Sequence, residues 1–143
     1  MLINEKMIKI KLDKGAIAPT RAHPYDAGLD LYAMHDGEIF CGKSCTFSTG
    51  VHLEIPENWV GLVKSKSGLM CNHGITTDGT IDAHYTGQIK VCLVNHGDTR
   101  YAVKKGDKIA QLVIVPCLLP RLELVDSLKE TDRGDDGFGS TGR

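Results

Sequence analysis

No stretch of this 143-residue chain approaches the ~20 consecutive apolar residues of a membrane-spanning helix, which argues against a helical membrane protein. An excess of charge is missing too. The 17 Lys and Arg stand against 18 Asp and Glu, a formal net charge of -1, so no overall positive field draws the chain to nucleic acid or an anionic lipid surface. A second cysteine knuckle is absent: Cys41-x3-Cys45 has no partner pair, and Cys41, Cys45, Cys71, Cys92 and Cys117 are odd in number and scattered, which argues against a structural zinc site and against disulfides. The apolar neighbours of several of them suit reduced, buried thiols. The opening Met1-Leu2-Ile3-Asn4-Glu5-Lys6 lacks the charged-then-apolar order of a signal peptide, and the chain reads as cytoplasmic. Helical periodicity is scarce, because no window of a dozen residues carries an i, i+3, i+4, i+7 apolar stripe with a cap at both ends.

The sequence is rich instead in glycine and in short alternating segments. Its 16 glycines exceed the roughly ten that average usage gives a chain of this length. From Gly15 to Gly106 they recur every 5 to 13 residues, the punctuation of an all-β fold. Ile8, Ile10 and Leu12 alternate with lysines, Val51, Leu53 and Ile55 with His52 and Glu54, and Leu122 and Leu124 flank Glu123; each set reads as a half-buried strand. Ile89 to Val94 and Ile109 to Val115 are nearly continuously apolar and should be covered on both faces, in a sandwich centre or a subunit interface. The one helix candidate is short, with Ser67 as N-cap, Gly68 to His73 behind it and Gly74 as terminator. Its N-terminal amides would favour an anion near Lys64 to Ser67.

With 41% hydrophobic and 24% charged residues, one compact domain is expected over residues 1–125. Residues 126–143 differ, with few large apolar side chains and five acidic ones, and read as a flexible glycine-rich arm that orders on binding. In that arm Phe138 offers a ring for a base, and Arg133 a fork for phosphate, beside Gly137-Phe138-Gly139-Ser140-Thr141-Gly142. It lacks the lysine and the spacing of a P-loop.

Five segments read together are more specific: Ala27-Gly28-Leu29-Asp30-Leu31-Tyr32-Ala33, Lys66-Ser67-Gly68-Leu69, Gly79-Thr80-Ile81-Asp82-Ala83-His84-Tyr85-Thr86-Gly87, Gly106-Asp107-Lys108-Ile109-Ala110-Gln111-Leu112, and the arm. In order and spacing they resemble the five motifs of the trimeric deoxyuridine triphosphatases, from about residue 7 to the C-terminus. The resemblance implies a jelly-roll-like β sandwich with one short helix and a flexible C-terminal arm. It implies a Mg2+-dependent homotrimer with shared active sites that hydrolyses dUTP to dUMP and pyrophosphate and keeps uracil out of DNA.

Taken alone, Asp82 reads as a turn aspartate and Tyr85 as a cross-strand aromatic. The resemblance makes Asp82 the general base for the water that attacks the α-phosphorus. It sets Tyr85 against C2′ of the sugar, and gives the hairpin backbone of Gly79, Thr80, Ile81 and on to Lys90 the uracil edge. Lys66, Ser67 and Gly68 become phosphate-holding residues, Gln111 a partner near the α-phosphate, and Asp30 a contact for the Mg2+ waters. Phe138 would stack on uracil while Arg133, Gly139, Ser140 and Thr141 close on the phosphates. Three positions depart from the family pattern: Lys66, where arginine is usual, His84, where an acidic residue is frequent, and Asp136, where glycine is common. Two other readings stay open at this level. One is a deoxycytidine triphosphate deaminase, which shares the fold but uses a glutamate and an arginine near the base. The other is a nucleotide-gated regulator whose ordered arm signals to a protein partner.

Overall fold

The computed structural model describes residues 7–139, 141 and 142. Ten strands and one helix follow in chain order: β1 (Lys9–Leu12), β2 (Gly28–Tyr32), β3 (Gly37–Ile39), β4 (Ser44–Glu54), β5 (Trp59–Lys64), α1 (Ser67–His73), β6 (Ile75–Thr76), β7 (Asp78–Ile81), β8 (Ile89–Asn95), β9 (Tyr101–Val103) and β10 (Lys108–Pro116). They form one antiparallel sheet in the order β1-β4-β8-β6, a second in the order β2-β10-β5-β7, and a small pair, β3-β9. The fold is all-β and jelly-roll-like, as the glycine spacing and the family resemblance imply.

The two large sheets share one core. Phe47, Val51, Val91 and Leu93 from the first meet Leu31, Val63, Ile109 and Leu112 from the second, all nearly solvent-free. Alternation on a pleated strand turns every second side chain inward, so a period-2 apolar pattern in both sheets suffices to build that layer. A buried polar post supports one end. Asn95 donates through Nδ2 to the carbonyls of Ile39 and Thr99, and its Oδ1 accepts from the Gly97 amide at 2.8 Å.

Several expectations change. In β8, Ile89, Val91 and Leu93 are buried but Lys90 and Cys92 are exposed, so within one chain the core covers only one face of this run. The cysteines are free, as expected, but not buried: Cys41, Cys71 and Cys92 are exposed, and Cys45 and Cys117 half-buried. For Cys92 the pleat decides, since its neighbours on both sides take the inward positions. Strand β1 is an edge strand and exposed throughout, because only β4 pairs with it. Leu122 and Leu124 form no strand; they are 95% and 100% exposed, with no neighbouring strand in the chain to pair with.

The helix lies where expected, but its N-cap is Lys66, not Ser67. Lys66 is extended (φ -83°, ψ 129°) and its carbonyl accepts the Met70 amide at 3.0 Å, so Ser67 already occupies the first helical position and caps nothing with its side chain. Gly74 terminates the helix in the left-handed region (φ 67°). Only glycine fits there comfortably, because a Cβ would also stand 2.8 Å from the Gly97 amide.

Candidate active site

The motif residues gather in two clefts at opposite ends of the β2-β10-β5-β7 sheet. Cross-strand register sets Asp30 opposite Gln111, Gln111 opposite Lys64, and Lys64 opposite Asp78, which makes one row across four strands. At the β2 end of this row lies a cavity of about 340 Å³, lined by Asp26, Gly28, Asp30, Lys66, Gln111 and Val113 among others.

Asp30 is the buried acid of this first cleft, 5% exposed. Its carboxylate pairs with Lys66 Nζ through one oxygen and with Lys108 Nζ at 3.0 Å through the other. Burial alone would raise its pKa, but the hydrogen bonds from Lys66 and Lys108, reinforced by their charges, hold it below the usual carboxylate value. The same contact pushes the Lys108 ammonium up. Gln111 is anchored separately: its Nε2 donates to the Ser65 carbonyl at 3.0 Å, and its Oε1 lies where a Gly28 Cβ would be, so any larger residue at 28 would displace it. Lys66, Gln111 and Asp30 are therefore brought together as the motifs imply. Ser67 and Gly68 are exposed on the first helical turn and line neither cleft.

The second cleft, about 280 Å³, lies at the far end of β7 and is lined by Thr80, Ile81, Asp82, Tyr85, Gln88 and Lys90. Asp82 follows the last residue of β7 and begins a tight turn, in which the Tyr85 amide donates to the Asp82 carbonyl at 3.2 Å. The turn requires His84 at φ 69°, and its imidazole meets Glu57 at 3.2 Å. Tyr85 lies against Gly87, where an added Cβ would stand 2.6 Å from the ring, and its hydroxyl donates to the Gln88 carbonyl at 3.0 Å. The aromatic is thus fixed beside an exposed carboxylate.

The two clefts do not meet within one chain. Asp82 lies four residues beyond the Gln111 row, about 13 Å along β7, and β7 is two strand spacings, about 10 Å, from β10. Gln111 and Asp82 are therefore about 16 Å apart, too far to contact the same water.

The described residues of the arm join neither cleft. Arg133 turns back, its Nε donating to the Asp136 carbonyl at 2.9 Å; Phe138 is fully exposed, Gly139 sits at φ 96°, and Thr141 is exposed. Ser140 lies outside the described residues. Periodicity missed Lys108, Ser65 and Gly28, which shape the first cleft. Lys108 and Gly28 stand inside quoted motifs, yet only strand pairing reveals what they touch. Among the described residues, no group of three or more His, Cys, Asp and Glu side chains is arranged to hold a metal ion.

Comparison with known proteins bears on the family and the fold. The dUTPase family profile matches residues 14–142. The chain is 46% identical over 141 residues to a deoxyuridine 5′-triphosphate nucleotidohydrolase of Syntrophotalea carbinolica, covering 94% of this chain and 96% of that one. Its structure superposes with a TM-score of 0.90 on the dUTPase of Staphylococcus bacteriophage 80alpha bound to dUpNHpp, at 30% identity, covering 96% of this chain and 99% of that one. It also resembles a mutant dUTPase from phage phi11 of S. aureus, whose structure reveals the coordination of a structural Mg(II) ion (TM-score 0.81, 27% identity, 87% of this chain and 100% of that one).

Proposed function

Since the chain belongs to the dUTPase family and is a dUTP nucleotidohydrolase, we propose that it cleaves dUTP between the α- and β-phosphates with Asp82 as general base. In this reading the Asp82 carboxylate takes a proton from a water, the water oxygen bonds to the α-phosphorus, and the bond to the bridging oxygen breaks. The products are dUMP and pyrophosphate. The observation that carries the reading is the second cleft, where an exposed carboxylate stands beside a fixed aromatic ring and the edge strand β7.

The segment from Gly79 through Thr80 and Ile81 to Lys90 crosses from β7 in one sheet to β8 in the other and so is not the expected hairpin; its backbone is proposed to hold uracil, with Tyr85 against C2′. A ribose hydroxyl would then be buried there without a partner. Lys66 and Gln111 are proposed to contact phosphate in the first cleft, with Ser67 and Gly68 at the helix start beside it. Arg133, Phe138, Gly139, Ser140 and Thr141 are proposed to close over the nucleotide, excluding water and balancing developing charge.

The separation of Gln111 from Asp82 favours a shared site. A site that uses both clefts takes one from each of two copies, in keeping with the proposed homotrimer with active sites at its subunit boundaries.

The donor set fits Mg2+ only as an ion carried by the triphosphate, because no protein cage exists among the described residues. Asp30, buried and ionised at the phosphate cleft, is the residue suited to accept hydrogen bonds from the ion's waters. When bound, the ion supplies neutralisation of phosphate charge.

The reading is tested by measuring pyrophosphate release from dUTP, UTP, dTTP and dCTP with Mg2+ present or chelated. It expects release from dUTP alone and only with the ion; comparable release from UTP would overturn it.

A further inference from the structure

His52 stands outside both clefts and outside the five motifs, yet it ties the nucleotide-binding loop to the opposite sheet. It lies on β4 with its side chain 19% exposed, between two oxygens. Its Nδ1 is 2.9 Å from the Thr86 carbonyl, and its Nε2 is 3.1 Å from Asp13 Oδ1. Thr86 sits between Tyr85, which is fixed beside Asp82, and Gly87, which supports the Tyr85 ring. Asp13 follows β1 and is itself held, its amide donating to the Gly50 carbonyl at 2.8 Å.

A carbonyl and a carboxylate can only accept, and a neutral imidazole has one N–H to give. Both contacts are satisfied together only by the imidazolium. We propose that His52 is a positioning residue for dUTP: as the imidazolium it pins the loop at Thr86, and on losing a proton it releases that loop and weakens nucleotide binding.

The proton that leaves is the one facing Thr86. An ionised carboxylate is the stronger acceptor and keeps the remaining proton on Nε2, so Nδ1 then turns a lone pair toward the Thr86 oxygen. The loop keeps two other ties, Tyr85 to the Gln88 carbonyl and the Gly50 amide to Gln88 Oε1 at 3.2 Å, so it loosens without unfolding. The charges around the ring are Asp13 and Lys11 on the β1 side, with Lys9 and Glu54 lining the same cavity and paired to each other at 2.9 Å. The Thr86 carbonyl first, then Asp13, hold the imidazole above its ordinary basicity, against desolvation and the Lys11 charge.

This inference rests on the segment from Gly79 to Lys90 being the nucleotide-binding segment. Its test follows the His52 ring and the backbone resonances of Tyr85, Thr86 and Gly87 by NMR in the full chain from about pH 5.5 to 9, alongside KM and kcat for dUTP. The loop resonances should move with the midpoint of the ring. KM should rise about two- to tenfold through that midpoint, the worth of one hydrogen bond, while kcat changes less. Asp13→Asn should carry both transitions to lower pH, and His52→Gln, whose amide does not titrate, should abolish both. Loop resonances or a KM profile that ignore the ring titration, or that persist in His52→Gln, overturn the inference. Absence of dUTP hydrolysis at every pH would count against the proposed function instead, and the NMR titration would still decide the clamp.

Discussion

Asp30 and Lys66 form an ion pair that joins β2 to the segment entering α1, and Lys108 from β10 occupies the second carboxylate oxygen. One buried acid thus holds two cations at the mouth of the cleft proposed to take the phosphates. It ties the first, second and fourth motifs into one cradle.

Asp30→Asn should therefore destabilise the fold and weaken phosphate binding together. Removing the charge leaves two ammonium groups facing one another, at a cost of about 1–3 kcal/mol in urea denaturation at neutral pH. The pH dependence has a defined sign. Because the folded-state pKa of Asp30 lies below its unfolded value, its contribution is present above about pH 4 and is lost as pH falls through the folded pKa. The stability gap between wild type and Asp30→Asn should close in that acid range, and a gap that persists would count against the ion-pair account.

Gly87→Ala should act on substrate choice without touching the chemistry. The added Cβ would meet the Tyr85 ring at 2.6 Å and displace it from its place beside Asp82. The preference for dUTP over UTP should fall about tenfold, with a smaller loss of stability, as read from kcat/KM on the two nucleotides. An unchanged ratio would mean that the ring does not police the sugar.

Much of this was legible in the chain, and the exceptions share a cause. Val51, Leu53 and Ile55 alternate in the sequence and are buried in the structure, and Gly74 ends the helix where its residue type suggests. Alternation is a local property of a pleated strand, so it is readable one segment at a time. What was not readable depends on neighbours. Cys92 lies on the face of β8 turned away from the core, and Leu122 and Leu124 have no strand to join among the described residues of the chain. Lys66 displaces Ser67 as N-cap because the first intrahelical bond starts one residue earlier. The contacts of Lys108 with Asp30, and of Gln111 with Ser65, follow from strand pairing across long stretches of chain, which periodicity does not encode.

Removal of residues 133–143 should separate folding from turnover. No described residue of this segment enters the core, so thermal unfolding should be unchanged to within a few degrees. Pyrophosphate release should drop about a hundredfold or more, because the open clefts stay wet and Arg133 is gone. Full activity in the truncated chain would leave the arm without a catalytic part.

The role of Asp82 is tested most directly by Asp82→Asn, a change that keeps the side chain's size and removes its capacity to accept a proton. Pyrophosphate release from dUTP should fall about a hundredfold or more, the scale of a general base, while calorimetry shows the nucleotide still bound. Release near the wild-type rate in a folded Asp82→Asn protein would contradict the account.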